Sequence, residues 1–428
     1  MKVALVNPAW RFKGSTYFGC TAPHLPLELG YCRSLLQRAG HETMLVDAQL
    51  LSLSNVEAAA EVAGFAPEMT VITTAPSYLF WRCAPPELSV PREFFDLLCA
   101  SGGTRVVIGP HSSVTPKTTL RKLNADIAVR GECEETVLSL AENPAELVPG
   151  VAIRKDDEIE ITGPPQSARF INAPPLRWDD HFVQSHDHHH HRFDCAPHGP
   201  GAEVEASRGC PYSCTFCAKI DYRDKYRRRD LPLLLDEIDG LLRQGVTYVY
   251  FIDEIFLPNP ELLSKLVGRG LHFGVQTRID LWKPDLIALL GRAGCVSIEA
   301  GVESLSSQGR EALAKRCKLT TEELAARLIV ARQHIPFVQA NLIEMPQDDD
   351  RDVQRWREQM RRANIWANDP VPLFPYPGSP DYRKLWGLPD EWAWERAHEY
   401  YLSQFATFSD IQEDRPRRLQ DLELEVSQ

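Results

Sequence analysis

Three cysteines lie close together near the middle of this 428-residue chain, in the stretch Cys210-Pro-Tyr-Ser-Cys214-Thr-Phe-Cys217. Three thiolates at this spacing can hold three irons of a [4Fe–4S] cube and leave the fourth iron open. An open iron can chelate the amino and carboxylate groups of S-adenosylmethionine (SAM), and an electron passed through it can release a 5′-deoxyadenosyl radical. Phe216 brings a flat apolar face that can pack on the adenine. The stretch therefore predicts radical chemistry, with the three cysteines as metal ligands and catalytic residues.

A structural zinc site is the alternative for these thiols. Zinc usually takes four ligands in two spaced pairs. No fourth Cys or His lies within a few residues of the loop, so the spacing favours the cluster.

Composition and charge narrow the class of protein. The chain is long enough for two or three domains, and 43% of it is hydrophobic. We find neither an apolar run of about 18 residues nor a basic-then-apolar N-terminus, so no membrane span or secretion signal is expected. Eleven cysteines in such a chain favour free thiols or metal ligands over disulfides. We therefore expect a reducing, cytoplasmic location. The net charge of −12 disfavours a nucleic-acid partner.

Residues 1–150 alternate between strand and helix patterns, which predicts a doubly wound, Rossmann-like parallel sheet with ligands at the carboxyl ends of its strands. The loops at Asn7–His24, Ala75–Pro91 and Gly109–Thr115 are long, and no G-x-G-x-x-G follows the first strand. These loops suit a large, flat, amide-rich ligand such as a corrin ring better than a dinucleotide. A ligand-free flavodoxin-like domain is the alternative.

Residues 202–380 contain six further βα units, too few for a closed eight-stranded barrel, and predict an open, partial (β/α)6 TIM-like barrel. Between the two units, 151–201 form a linker with a hairpin and the run His186–His191, interpreted as a solvated loop, with metal or substrate binding as the alternative. The helical spacing and acidic end of residues 381–428 predict a helical C-terminal cap over the barrel mouth.

Several segments resemble known proteins. Glu205–Cys217 resembles the cluster loop of the radical SAM superfamily, and Gly294–Ser304 resembles its fourth-strand segment. Leu27 through Asp47 and Gly109 through Glu132 resemble the cobalamin-binding domain of its cobalamin-dependent branch. The resemblance covers about residues 1–385 and identifies the chain as a member of the cobalamin-binding-domain-containing radical SAM enzyme family.

This resemblance implies roles for polar residues that follow the barrel strands. Asp253 or Glu254 would accept hydrogen bonds from the SAM ammonium, and Glu299 or Glu303 would bind the ribose. Arg278 would neutralise the SAM carboxylate or a substrate anion. Ordinary salt bridging on the barrel rim is the alternative for each. The glycines of the family's Gly-Gly-Glu segment are missing before Glu254.

On the cobalamin side, the expected contacts are His24, Gly109, His111, Gly131 and Glu132. The first domain has no D-x-H-x-x-G motif, so no protein imidazole is expected on cobalt. Both histidines can equally be ordinary loop residues.

A basic run, Arg223 to Arg229, follows the cluster loop. We interpret it as a solvated face, with a site for an acidic or phosphorylated small-molecule substrate as the alternative.

The resemblance implies a methyltransferase acting on an unactivated carbon of a small molecule. One SAM would methylate cob(I)alamin, and a second would be cleaved at the cluster with an electron from a donor such as flavodoxin or ferredoxin. The substrate radical would then take the methyl group from cobalt. The alternatives are a cobalamin-dependent cyclase or rearrangement enzyme without methyl transfer, a non-catalytic cobalamin- or cluster-binding regulator and, more weakly, a tRNA methylthiotransferase.

Overall fold

The structure is a computed structural model that describes residues 1–10, 24–76, 88–98, 101–156, 158–186, 199–219, 223 and 225–404. Parts of the predicted loops Asn7–His24 and Ala75–Pro91 lie outside the described residues. So do the histidines after His186 and the acidic end of the tail.

The first sheet has seven strands in the order β2-β1-β3-β4-β5-β6-β7. They are β1 (Lys2–Asn7), β2 (Glu42–Asp47), β3 (Met69–Thr73), β4 (Thr104–Ile108), β5 (Ile127–Val129), β6 (Val151–Lys155) and β7 (Glu158–Ile161). The first five run parallel, which confirms the doubly wound expectation. The β6–β7 hairpin pairs antiparallel with β5, so this sheet extends past residue 150.

Helices cover both faces of the first sheet. They are α1 (Leu27–Arg38), α2 (Asn55–Phe65), α3 (Ser89–Leu98), α4 (Pro110–Val114), α5 (Pro116–Leu123) and α6 (Glu134–Glu142), with α7 (Asp180–Ser185) in the connector. Successive strand residues face opposite sides, so Val3 packs in the apolar cluster with Leu29 of α1, and Ala4 in the one with Val62 of α2. Ser54 and Glu57 form a capping box that begins α2.

The second sheet has six parallel strands in the order β15-β14-β13-β12-β11-β8. This part of the chain contains β8 (Gly201–Val204), β9 (Ser207–Arg208), β10 (Arg227–Arg228), β11 (Tyr248–Phe251), β12 (His272–Thr277), β13 (Cys295–Glu303), β14 (Phe337–Leu342) and β15 (Trp366–Ala367). Its helices are α8 (Leu231–Arg243), α9 (Pro260–Leu266), α10 (Pro284–Arg292), α11 (Ser307–Ala312), α12 (Thr321–His334), α13 (Asp350–Arg362), α14 (Pro380–Trp386) and α15 (Ala393–Gln404). No pairing between β15 and β8 closes the sheet among the described strands, as the partial barrel requires.

The two faces of the second sheet differ in polarity. Phe251, Val275 and Ile298 belong to the large apolar cluster that includes the surrounding helices. On the opposite face, Glu203 lies in register with Tyr250, and Glu299 with Gln339. The alternation of side chains thus produces an apolar outer face and a polar inner face. None of the described helices is long and apolar enough to cross a membrane.

A short antiparallel ribbon, β9 with β10, closes the base of the cysteine loop. Gly209 follows β9 with φ of +80°, and a Cβ there would lie 2.2 Å from the Lys225 carbonyl oxygen. Only glycine fits this close approach without strain, so the turn into Cys210 depends on it.

Candidate functional site

The three thiols lie on the loop that follows β8 and β9, beyond the carboxyl end of the first barrel strand. Neighbouring segments hold the backbone of this loop. Lys219 Nζ donates to the Cys210 carbonyl at 2.5 Å, and the Thr215 amide donates to the Leu313 carbonyl at 3.1 Å. The Asp381 amide in turn donates to the Thr215 carbonyl at 3.0 Å. The loop is therefore fixed from the barrel on one side and from the C-terminal segment on the other.

Burial raises the pKa of each of the three thiols, and that of Cys217 to about 12. The charges of Lys219 and Lys315 oppose this rise in the pKa of Cys217. The thiols are thus protonated without metal, and ligation must release their protons. Three half-buried thiols with cations around them fit a cluster, since the cations would stabilise thiolate ligands.

No three His, Cys, Asp or Glu side chains in the described part of the chain form a group that could hold a metal ion. A cubane differs from such a site because each thiolate binds a different iron.

Arg278 lies directly beside the loop. Its guanidinium stacks 4.2 Å from the centre of the Tyr212 ring and pairs with Asp280 at 2.8 Å. Its Nη1 is buried without a hydrogen-bond partner. A buried unpaired donor is costly, so this nitrogen is suited to receive an anionic ligand.

Lys315 is a site residue that sequence reasoning missed. Its ammonium donates to the Gly301 carbonyl at 2.8 Å and pairs with Glu303. Burial and the charge of Arg278 lower its pKa to about 7. A lysine in a loop after α11 gave no signal in the sequence, because its position depends on the packing of that loop against β13.

Glu303 does not follow the regular alternation expected for β13. The pairing with β14 shifts register between Gly301 and Glu303, and Glu303 has φ of +63°. Its carboxylate lies over Gly301, and a Cβ at position 301 would lie 2.3 Å from Glu303 Oε1. A larger residue at position 301 would therefore displace the carboxylate. Glu299, by contrast, faces the inner side and accepts a hydrogen bond from the Tyr250 hydroxyl at 3.3 Å. Ribose binding by either carboxylate stays a prediction, as does packing of the half-buried Phe216 on adenine.

Asp253 and Glu254 support the base of the loop. Asp253 accepts hydrogen bonds from the Ala206 amide at 2.8 Å and from the Ser207 hydroxyl. Glu254 accepts one from the Gly209 amide at 2.7 Å and another from Arg223 at 3.1 Å. Both carboxylates are thus engaged with protein atoms, and a contact with the SAM ammonium stays a prediction.

We expect Asp253→Asn to change how stability depends on pH. Burial raises the pKa of Asp253 from 3.8 to about 7, despite hydrogen bonds from Ser207 and Ala206. A carboxyl group whose pKa is higher in the folded than in the unfolded protein stabilises the folded state while it is protonated. This contribution is complete below the unfolded-state pKa and is lost as the pH rises through the folded-state pKa. The melting temperature of the iron-free variant, relative to wild type, should therefore increase from pH 5 to pH 8. Glu61→Gln, at an exposed position, is the control and should show no such trend. Melting temperatures of Asp253→Asn and wild type that differ by the same amount at every pH would contradict the expectation.

In the first domain, His111 is covered by the C-terminal helix. Trp394 of α15 stacks on the imidazole with ring centres 4.0 Å apart, and its Nε1 donates to the Thr115 hydroxyl at 3.1 Å. Glu395 pairs with Lys122 of α5. The tail, predicted to cap the barrel mouth, thus packs on the first domain through α15 and contacts the cysteine loop through the first turn of α14.

His24 is buried beside a carboxylate of the barrel. Its Nε2 lies 3.7 Å from the Glu203 carboxylate of β8. The same carboxylate lies 2.9 Å from His186 Nε2 and accepts a hydrogen bond from the Leu25 amide. His186, expected in a solvated loop, is only 2% exposed, so the solvated interpretation is wrong for this residue. The other histidines of the run lie outside the described residues.

Gly109, Gly131 and Glu132 have structural partners. The Gly109 carbonyl, just before α4, accepts hydrogen bonds from the hydroxyls of Ser112 and Ser113. Gly131 has φ of +86°, and a Cβ there would lie 2.2 Å from the Gln166 carbonyl oxygen. Glu132 accepts from the Ala168 amide and pairs with Arg227. Cobalamin contacts by these three residues stay predictions.

Some residues of the basic run are exposed and others are buried. Arg223 and Arg229 are 3% and 5% exposed, so the solvated interpretation is wrong for both. Arg229 binds Glu237 of α8 at 2.7 Å, and Arg223 binds three carboxylates. Only Lys225 and Arg228 among the described members are exposed.

Comparison with known proteins finds a family match for the barrel. The family model of the radical SAM superfamily matches residues 204–360. Anaerobic magnesium-protoporphyrin IX monomethyl ester cyclase of Cereibacter sphaeroides is 25% identical over 415 residues, covering 90% of this chain and 64% of the cyclase. Hopanoid C-3 methylase of Methylococcus capsulatus is 26% identical over 373 residues, covering 81% of this chain and 67% of the methylase. The chain thus spans less than two thirds of the cyclase.

A solved structure shares the fold over most of the chain. It is the radical S-adenosylmethionine methyltransferase TsrM from Kitasatospora setae, with cobalamin and a [4Fe–4S] cluster bound. The TM-score is 0.70 at 16% identity, covering 89% of this chain and 76% of TsrM.

Proposed function

We propose that this chain, whose residues 204–360 match the radical SAM superfamily and which has an N-terminal doubly wound domain, is a radical SAM enzyme that methylates an unactivated carbon of a small molecule. The observation that carries the proposal is that one chain contains both the three-cysteine loop and a doubly wound first domain, a fold that commonly binds ligands. The first domain contacts the base of this loop directly. Methyl transfer from SAM itself is polar and needs a nucleophile, so an unactivated carbon is out of its reach. A domain for a second methyl carrier removes that limit.

The residues present fit the expected groups. A [4Fe–4S] cluster, SAM and cobalamin would together supply a 5′-deoxyadenosyl radical and a methyl group that a carbon radical can accept. Cys210, Cys214 and Cys217 would hold the cluster, and Arg278 Nη1, which is buried without a hydrogen-bond partner, would donate to the SAM carboxylate or to an anionic substrate. The polar inner face of the barrel, which includes Tyr250 and Glu299, would orient the polar parts of the ligands.

On the first domain, the structure favours cobalamin binding without an imidazole on cobalt. His111 is stacked under Trp394, and His24 is buried against Glu203. His24 cannot turn away without removing a contact of the buried Glu203 carboxylate, and His111 cannot turn away without losing its stack on Trp394. An external one-electron donor, such as flavodoxin or ferredoxin, completes the proposal.

The test uses SAM with a deuterated methyl group. The anaerobically reconstituted protein, supplied with cobalamin and a reductant, is incubated with an extract of the cell it comes from, and products are followed by mass spectrometry. We expect a product that carries the deuterated methyl, with one S-adenosylhomocysteine and one 5′-deoxyadenosine per product. Protein reconstituted without cobalamin is the control and should give no methylated product.

A cyclase or rearrangement enzyme is the second candidate, because the magnesium-protoporphyrin ester cyclase aligns with 90% of this chain. A product without a SAM-derived methyl, formed with methionine and 5′-deoxyadenosine as the fragments of SAM and without S-adenosylhomocysteine, would favour this reading. A protein that binds the cofactors and never cleaves SAM would be a regulator instead.

A further inference from the structure

A buried group of charges lies between the first domain and the base of the cysteine loop. Arg223 is its centre, and it contacts one carboxylate from each of three places: Glu28 of α1 at 3.4 Å, Glu205 after β8 at 2.6 Å and Glu254 after β11 at 3.1 Å. We call these four residues the Arg223 cluster. All four side chains are at most 14% exposed, so they interact with little screening by water.

The Arg223 cluster is connected to the first cysteine by consecutive polar contacts. Glu254 uses one oxygen for Arg223 and the other for the Gly209 amide, at 2.7 Å. Gly209 immediately precedes Cys210 and has a backbone conformation that favours glycine, with φ of +80°. A displacement of Glu254 would therefore be transmitted to the peptide that carries a cluster ligand.

A second arginine strengthens the same connection. Arg208 binds Glu205 at 2.7 Å and Glu134, the first residue of α6, at 2.5 Å. Glu205 thus receives both arginines, and both arginines also reach a carboxylate of the first domain. The base of the cysteine loop is held from the first domain at two points.

We propose that Glu28 and Arg223 are positioning residues, through which the first domain fixes the position of Cys210. Glu28 holds Arg223, Arg223 holds Glu254, and Glu254 holds the Gly209 amide. The consequence for a cluster rests on the proposed function, whereas the positioning itself is a property of the iron-free chain. Arg223 also places a positive charge near the loop, which would make a bound cluster easier to reduce.

Hydrogen exchange of the iron-free protein tests the positioning directly. In Arg223→Gln, the amides of a peptide spanning residues 207–214 should exchange at least tenfold faster, since Glu254 loses the partner that orients it. Glu28→Gln should increase the same rates by a smaller factor, and Arg223→Lys, which keeps the charge and loses the fork, should fall between wild type and Arg223→Gln. The control is Arg33→Gln, because Arg33 lies on α1 like Glu28 and its partner Asp179 is exposed. In this variant the 207–214 peptide should exchange at the wild-type rates.

The reconstituted protein gives an independent readout. The paramagnetic resonance spectrum of the reduced centre should change in Arg223→Gln, and its midpoint potential should become more negative because a positive charge is lost. Unchanged exchange in the 207–214 peptide, or faster exchange spread equally over the whole molecule, would overturn the proposal. A wild-type protein that binds no cluster would contradict the proposed function alone, because the exchange experiment on the iron-free chain would still decide the positioning.

Discussion

Replacing Cys210, Cys214 and Cys217 together with Ala is expected to abolish both iron binding and the formation of 5′-deoxyadenosine. Wild-type protein reconstituted without oxygen should bind about four irons and show the broad absorption of a [4Fe–4S] centre. No described His, Cys, Asp or Glu group near the loop could hold a metal ion in place of these thiols. Iron and acid-labile sulfide analysis, with chromatography of the SAM fragments, measures both effects.

The matched control for this variant is Cys317→Ala. Cys317 is a half-buried free thiol outside the loop, and the variant should keep both the cluster and SAM cleavage. A triple variant that still bound four irons and cleaved SAM would end the radical SAM interpretation.

Arg208→Gln is expected to lower the free energy of unfolding of the iron-free protein by about 3 to 5 kcal/mol, the typical cost of removing one partner of a buried ion pair. Arg208 is 1% exposed and binds Glu134 and Glu205, so its loss leaves the buried Glu134 carboxylate without this cation and Glu205 with Arg223 alone. The guanidinium also stacks 4.4 Å from the centre of the Phe170 ring. Urea unfolding followed by circular dichroism measures the change.

Arg355→Gln is the control, because Arg355 pairs with Asp352 at the surface with its side chain 79% exposed. Such pairs contribute little to stability, and this variant should unfold close to wild type. An equally small effect of Arg208→Gln would show that the buried contacts between the domains add little to stability.

Much of the fold was predictable because its signals are local. Alternating apolar segments predicted both parallel sheets, since each segment needs only its own side chains to define a strand or a helix. The loop at Cys210–Cys217 was recognisable because its ligands are separated by two or three residues and are therefore neighbours in any conformation. The β6–β7 hairpin, which extends the first sheet beyond residue 150, was predicted as a hairpin but not assigned to that sheet, because a hairpin pattern does not say which sheet edge it joins.

The roles of charged residues required the tertiary structure. Arg227 and its partner Glu132 are separated by 95 positions, and Trp394 and Thr115 by 279. A run of arginines has the same pattern whether it faces water or buried carboxylates, so the sequence analysis placed Arg223 and Arg229 in solvent.

The sequence by itself determined which atoms can ligate a cluster and which segments form strands and helices, because spacing along the chain decides both. The tertiary structure decided which charges are neutralised and which stay available. Asp253 and Glu254 support the loop, while Arg278 keeps an unpaired nitrogen beside it. The reason is physical: the pairing of a buried charge depends on desolvation and on the distance to its partner, and both quantities exist only after distant segments have packed together.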